Sequence, residues 1–128
     1  ILSNLISNAL DAVVGQSGPW IRVSAGPVAS GWGKAGSAPA GFVLEIAVED
    51  NGPGLAKEVR DRLFEPHVTT KAKFNGMGLG LSFCQRLVSR NGGHIGFDAE
   101  AAQTRFFFSL PLAQGQHTTR REEQAQVA

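Results

Sequence analysis

The residues best suited to chemistry lie in the run FEPHVTTKAKFNGMGLGL, which begins at Phe64. A loop bearing threonine and lysine leads here into alternate glycines and then into an apolar helical pattern. Gly76, Gly78 and Gly80 carry no side chain, so N–H groups at the start of that helix can approach an anion closely. Lys71 could supply a mobile positive charge to a terminal phosphate. The layout predicts a phosphate site, although such glycines also serve only to pack backbones closely.

The polar face of the first predicted helix, residues 1–14, is built from short Asn, Ser and Asp side chains. These residues are poor helix formers, and a hydrated helix face normally uses Glu, Lys or Arg instead. Asn4 and Asn8 lie one turn apart on this face, and an amide oxygen suits Mg²⁺, which prefers oxygen ligands beside phosphate. The alternative is an ordinary hydrated face with local hydrogen bonds.

Asp50 ends an alternating apolar strand and enters a Gly-Pro-Gly turn. A carboxylate at this position can be held rigidly at the mouth of a pocket between sheet and helices. It could accept a charge-assisted hydrogen bond, worth about 1.5 to 3 kcal/mol, from an exocyclic amine such as that of adenine. The alternative is an aspartate that only caps its own turn.

Composition excludes several other classes of function. The chain has 128 residues, 42% of them hydrophobic, and a net charge of +1 from 12 basic and 11 acidic residues. We therefore expect one domain with no nucleic-acid partner and no direct membrane contact. The histidines, at positions 67, 94 and 117, are too widely spaced for a zinc motif, and there is no GxSxG elbow. Cys84 has no partner cysteine and is predicted to pack in the core.

Helical and strand periodicities alternate along the chain. They predict helices over residues 1–14, 57–64 and 79–90, strands over 20–25, 42–50, 94–98 and 104–110, a long connection over 26–41 and a loop over 65–76. This pattern predicts an α+β fold, a two-layer sandwich in which helices cover one face of a mostly antiparallel mixed sheet. We expect the domain to span residues 1–112 and to be N-terminally incomplete, with a polar, disordered tail over 113–128.

The order of the sequence motifs along the chain restricts the possible functions. The blocks NLISNALDA, DNGPGL, FEPHVTTK and GMGLGLS follow one another along the chain. In this order they resemble the ATP-binding catalytic domain of bacterial sensor histidine kinases, within the ATPase superfamily shared with gyrase, the Hsp90 chaperones and MutL. The nitrogen-regulation-like branch, with its FEP and TTK wording, is the most similar. The resemblance covers about residues 1–112 and implies a Bergerat-type fold that binds ATP and Mg²⁺.

The resemblance also implies roles for individual residues. Asn8 would coordinate Mg²⁺ with support from Asn4, while Asp50 would receive the adenine amine. Phe64 would anchor a lid, and Asn8 and Lys71 would serve catalysis. The remaining nucleotide-binding positions would be Gly52 and Gly54 at the base, Thr69 and Thr70 near the phosphates, Gly76, Gly78, Leu79 and Gly80 at the phosphate-facing turn and helix start, and Thr104 on the last strand.

Two positions depart from the family pattern. His67 stands where an aromatic residue often follows FEP, and Gln103 stands where glycine commonly precedes Thr104. The implied reaction transfers the γ-phosphoryl group of ATP to a histidine on an upstream dimerisation domain outside this chain. The implied partners are that domain and a response-regulator receiver domain, in a homodimeric parent protein. We expect a cytoplasmic location for the domain, in a parent that is either free or membrane-anchored.

Two other functions stay open on sequence alone. An ATP-hydrolysing clamp of the same superfamily would need a carboxylate one helical turn before Asn8, and Asn4 occupies that position. A regulatory module that binds nucleotide without transfer is the second alternative, and the unusual Gln103–Thr104 pair is compatible with it.

Overall fold

The computed structural model describes residues 1–29, 41–66 and 80–112. Its helices and strands follow one another in the order that the periodicities predict. They are α1 Leu2–Ala12, β1 Ile21–Ala29, β2 Phe42–Asp50, α2 Lys57–Arg60, α3 Gly80–Arg90, β3 His94–Phe97 and β4 Thr104–Pro111.

The described strands form one sheet in the order β1-β2-β4-β3, and each pairing among them is antiparallel. In the register, Val48 pairs with Phe106 and Ile95 with Phe108, so these side chains share one face of the sheet. Helices α1 and α3 pack against that face. The buried core cluster consists of Leu5, Ala9, Val48, Leu63, Cys84, Val88, Ile95, Phe106 and Phe108. The predicted two-layer α+β sandwich is confirmed.

Helix α1 buries a narrower apolar stripe than its sequence suggests. Leu5 and Ala9 are buried, as an i, i+4 pair on one face should be. Helical spacing of apolar residues over 1–14 also places Leu10 and Val14 on the apolar face, but they are 55% and 79% exposed. The helix ends at Ala12, before Val14, and Leu10 is not part of the buried core cluster. Helical spacing alone could not show where the apolar stripe stops.

Strand β1 extends past the predicted boundary at residue 25. Its ladder continues through Gly26 and Pro27, which pair with Glu45 and Leu44 of β2, to Ala29. Among the described strands β1 lies at the edge of the sheet, where the missing N–H of a proline is tolerated. The predicted connection over 26–41 was therefore wrong for residues 26–29, while residues 30–40 lie outside the described part.

Helix α3 ends at Arg90, as predicted, directly before the run Asn-Gly-Gly, which is typical of a helix end. Gly92 has φ 71°, and the N–H of Gly93 donates to the carbonyl of Val88 at 3.0 Å. This is the hydrogen bond of a Schellman C-cap. Cys84 and Val88 are buried. Phe83, which also lies at an apolar position of the helical spacing in α3, is 52% exposed.

The remaining differences are small. Helix α2 covers only Lys57–Arg60 of the predicted 57–64, and turns then carry the chain to Leu63, which is buried. On β4, Phe106 and Phe108 are buried and Phe107 lies on the opposite face, as their alternation predicted. Among the described residues, no helix has the length and apolar character that a membrane span requires.

Candidate functional site

The centre of the candidate site is the carboxylate of Asp50, at the last position of β2. Its residue is only 2% exposed, and it pairs in register with Thr104, the first residue of β4. The N–H of Gly52 donates to Asp50 Oδ1 at 2.9 Å. The carboxylate is thus fixed by the sheet below it and by the turn that follows it.

Burial dominates the electrostatics of this carboxylate. Desolvation raises the pKa of Asp50 above its ordinary value of 3.8, and the Gly52 N–H and the Thr104 side chain lower it in part. Thr104 Oγ1 is itself buried and makes no hydrogen bond of standard geometry with the described residues. A buried carboxylate and a buried hydroxyl with unused hydrogen-bonding capacity therefore lie side by side. A ligand that carries both a donor and an acceptor would satisfy them.

The turn after Asp50 requires glycine at two positions for different reasons. A Cβ on Gly52 would lie 2.7 Å from Asp50 Oδ1 and 2.8 Å from the carbonyl oxygen of Ala12, so no side chain fits there. Gly54 has open space around it but φ +78°, a conformation that side-chain-bearing residues rarely adopt. Both glycines that the sequence assigned to the base pocket thus shape this turn.

A cavity of about 240 Å³ opens beside the turn. Its walls come from residues 52–55 on one side and from the hairpin between β3 and β4, including Gln103 and Thr104, on the other. A neighbouring cavity of about 380 Å³ is lined by Leu63 and Phe64. The two cavities share three lining residues, Arg60, Phe97 and Ala99. Phe64, the predicted lid anchor, also packs against the buried core.

Helix α1 brings the two predicted asparagines to different neighbours. Asn4 Nδ2 lies 3.4 Å from Sγ of Cys84, and its amide rests on Gly80, where a Cβ would come within 2.6 Å of Nδ2. Asn4 therefore joins α1 to the first turn of α3. Asn8, one turn further along α1, is half-buried.

Sequence reasoning missed two residues of this region. Asn51 was treated only as part of a turn, yet Trp20 N–H donates to its Oδ1 at 2.9 Å and its Nδ2 donates to Gly18 O at 2.9 Å. Arg60 lines both cavities, and its Nε is buried without a hydrogen bond to the described residues. The Asp-Asn-Gly wording was the available signal for Asn51, but it cannot reveal partners that lie 31 and 33 residues away.

Part of the predicted site lies outside the described residues. This applies to His67 and to the predicted ligands Thr69, Thr70, Lys71, Gly76, Gly78 and Leu79. Gly80 is described and is the first residue of α3. Within 1–29, 41–66 and 80–112, no group of three or more His, Cys, Asp or Glu side chains could hold a metal ion.

The fold and the site together are typical of one class of protein. Helices cover one face of an antiparallel sheet, and a buried aspartate precedes a glycine turn. Residues 1–114 match the family described as histidine kinase-, DNA gyrase B-, and HSP90-like ATPase, and the chain belongs to that family. The predicted resemblance is confirmed.

Curated relatives are sensor kinases. The chain is 37% identical over 117 residues to the sensory histidine kinase/phosphatase NtrB of Azospirillum brasilense, a match that covers 88% of this chain and 28% of the relative. It is 34% identical over 113 residues to the C4-dicarboxylate transport sensor protein DctB of Rhizobium meliloti (strain 1021), covering 88% and 16% respectively. The chain thus spans less than a third of the length of these relatives. It is a histidine kinase-type ATPase domain homologous to the corresponding part of sensor histidine kinases.

Solved structures agree with this. The nucleotide-free catalytic domain of histidine kinase ThkA superposes with a TM-score of 0.62 at 26% identity, over 86% of this chain and 62% of that one. Full-length ShkA in complex with AMPPNP gives 0.57 at 32% identity, over 86% and 21%. These neighbours carry the same α+β architecture.

Proposed function

We propose that this domain binds ATP and transfers its γ-phosphoryl group to a histidine on an upstream dimerisation domain of a two-component sensor kinase. The observation that carries the proposal is the buried Asp50 carboxylate beside the Thr104 hydroxyl, at the glycine turn of a histidine kinase-type ATPase fold. Support also comes from the solved relative ShkA, whose structure contains AMPPNP.

Asp50 would select the base of the nucleotide. Its carboxylate has one hydrogen bond from Gly52 and is buried, so an exocyclic amine that donates to it replaces lost hydration. Such a charge-assisted hydrogen bond contributes about 1.5 to 3 kcal/mol. Thr104 would offer its hydroxyl to the same base, while Gly52 and Gly54 allow the backbone to approach the ring.

Asn8 would hold Mg²⁺ through its amide oxygen. The side chain is half-buried on α1, on the same helix face as Asn4, and oxygen donors are the ligands that Mg²⁺ prefers. The absence of an acidic cluster in the described part fits an ion that takes most of its other ligands from phosphate oxygens and water. When bound, the ion would neutralise charge on the triphosphate.

The phosphate end would be enclosed by residues on either side of segment 67–79, which lies outside the described residues. Phe64 packs on the core before that segment and would anchor the lid, and Gly80 opens α3 after it. Between them, Thr69, Thr70 and Lys71 would contact the phosphates. Gly76, Gly78 and Leu79 would form the turn whose N–H groups face the anion. Lys71 would stabilise the charge that spreads over the transferred group.

The acceptor and the other partners would belong to the parent protein and its pathway. A transfer that needs little covalent chemistry from this domain requires an acceptor imidazole docked in line with the γ-phosphate. The names of the relatives, which include a two-component sensor, support a dimerisation domain as acceptor and a response-regulator receiver domain as the next partner. The parent would be a homodimer, either free or membrane-anchored, whose ATPase domain lies in the cytoplasm.

The test is autophosphorylation of the parent chain with γ-labelled ATP. We expect protein-bound label that is lost in acid and retained in base, the behaviour of a phosphorylated histidine. The Asn8→Ala variant should lose the label while its domain still unfolds cooperatively. Release of labelled inorganic phosphate without any protein-bound label would contradict transfer and support a hydrolase.

A further inference from the structure

Asn51 directly follows Asp50, the proposed base-selecting residue. Both the oxygen and the nitrogen of its side-chain amide hydrogen-bond the connection between α1 and β1. Oδ1 accepts from Trp20 N–H at 2.9 Å, Nδ2 donates to Gly18 O at 2.9 Å, and the backbone N–H of Asn51 lies 3.4 Å from Trp20 O. Because the amide uses a donor and an acceptor on one strand of backbone, it fixes both the position and the orientation of that connection.

A second contact holds the same turn from the other side. The missing side chain of Gly52 lets the turn approach the carbonyl and Cβ of Ala12, the last residue of α1, at distances where a Cβ would be 2.8 and 3.0 Å away. The turn that carries Asp50 is therefore enclosed by the end of α1 and by the residues that follow it. The same helix carries Asn8.

From these contacts we infer that Asn51 is a positioning residue, which fixes the Asp50 carboxylate relative to α1 and so sets the base-binding end of the site against the magnesium-binding end. The inference rests on the proposed function, since it presumes that Asp50 receives an adenine amine. Asn51 is not among the residues that line the cavity beside the turn, so it would act through the turn 50–52 and not by touching the nucleotide.

The effect is measurable as base selectivity. Inosine triphosphate carries an oxo group where ATP carries the amine, so the ratio of ATP to inosine triphosphate affinity reports the contact made by Asp50. In Asn51→Ala we expect ATP affinity to fall and this ratio to shrink about three- to tenfold, as the carboxylate is no longer held in place. Inosine triphosphate affinity should change much less.

Asn91→Ala is the matched control. Asn91 Nδ2 also donates to a backbone carbonyl, that of Leu87 at 2.8 Å, but at the far end of α3. The control should leave the ratio unchanged. Asn51→Asp keeps the acceptor for Trp20 N–H and loses the donor to Gly18 O, so its ratio should lie between those of Asn51→Ala and the natural protein. If Asn51→Ala does not fold, the aspartate variant decides the question.

The outcomes separate the two proposals. A natural protein that binds both nucleotides equally removes the role of Asp50, and the inference about Asn51 falls with it. If the natural protein prefers ATP and the Asn51→Ala variant has the same ratio of ATP to inosine triphosphate affinity, only the positioning role of Asn51 is overturned. Equal losses for both nucleotides would show that Asn51 supports only the fold.

Discussion

Asp50 is the residue at which the proposed binding role and the stability of the empty domain conflict. Its carboxylate is buried at the end of β2, where desolvation raises its pKa, and only part of that cost is recovered through Gly52 and Thr104. A group of this kind stabilises the complex with its ligand at the expense of the empty fold. The empty domain should therefore gain stability when the charge is removed.

The pH dependence of stability tests this conflict. Because the pKa of Asp50 is higher in the folded than in the unfolded chain, the folded state binds more protons between the two values, and stability falls as pH rises from about 4, near the ordinary value of 3.8. Asn at position 50 should remove this decline. In thermal melts without nucleotide, Asp50→Asn should match the natural protein at low pH and exceed its Tm at neutral pH.

With ATP present, the natural protein should be favoured over the Asp50→Asn variant. The variant loses a hydrogen bond to a charged group, so its ATP affinity should fall about 10- to 150-fold in calorimetry. A Tm below that of the natural protein at neutral pH would show that the buried charge does not destabilise the empty domain, and an unchanged ATP affinity would show that the carboxylate does not bind the base.

Gly52 offers a second test at the scale of single residues. In Gly52→Ala the new Cβ would meet Asp50 Oδ1, which belongs to a buried side chain, and Ala12 O, which belongs to the backbone of α1. Overpacking of this kind costs about 1 to 3 kcal/mol. Gly26→Ala, in β1, is the control because nothing lies within 4 Å of its Cβ. Urea unfolding should show the loss for position 52 only; equal stabilities would contradict the close packing of the turn.

At the scale of elements, α1 and α3 are joined where the site needs them to be. Asn4 lies across Gly80, the first residue of α3, and its Nδ2 contacts Sγ of the buried Cys84. Under the proposed function α3 would start beside the phosphates, and its first turn would have to be fixed because its N–H groups would be ligands. Asn4 therefore positions α3 from α1, whatever it contributes to the ion.

A double-mutant cycle measures this link. Gly80→Ala alone should displace the Asn4 amide and cost about 1 kcal/mol, the value of a typical hydrogen bond and its packing. On an Asn4→Ala background the same change should be neutral or stabilising, because alanine favours a helix over glycine by about 1 kcal/mol. Urea unfolding of the four proteins gives the coupling energy. Additive effects would show that the two residues do not interact.

For the whole molecule, one face of the sheet carries the apolar core, whereas no helix of the described residues covers the other face. The core side chains of β2, β3 and β4 meet α1 and α3 on the first face. On the second face, Arg105 bonds Glu45 at 2.6 Å and Arg22 lies 3.7 Å from Glu49. Partly exposed ion pairs contribute little. Stability should therefore respond to the helix-covered face and scarcely to the open one.

Two leucines of α1 test that asymmetry with the same substitution. Leu5 is 1% exposed within the core, whereas Leu10 is 55% exposed. Leu5→Ala should cost about 2 to 5 kcal/mol, and Leu10→Ala should stay within about 0.5 kcal/mol. Denaturant unfolding distinguishes the two. Similar losses at both positions would mean that Leu10 is covered in the folded protein.

Local patterns predicted much of this architecture. The strand alternation before Asp50, the Gly92 stop of α3 and the inward-facing Phe106 and Phe108 each depend on neighbours within a few residues, so the sequence suffices for them. The exposure of Phe83 could not be foreseen. Its burial depends on whether another element covers that side of α3, and helical spacing does not contain this information.

The sequence by itself determined the class of protein, because the order of the motifs and the residue types within them, Asn8, Asp50 and the glycines included, are local features that need no knowledge of which residues meet. Only the tertiary structure decided which of these residues meet. Asn4 contacts Cys84 across 80 residues, and Asn51 holds a turn 31 to 33 residues away. Such pairings arise from the packing of sheet and helices, which brings distant segments together by burying apolar surface that they share.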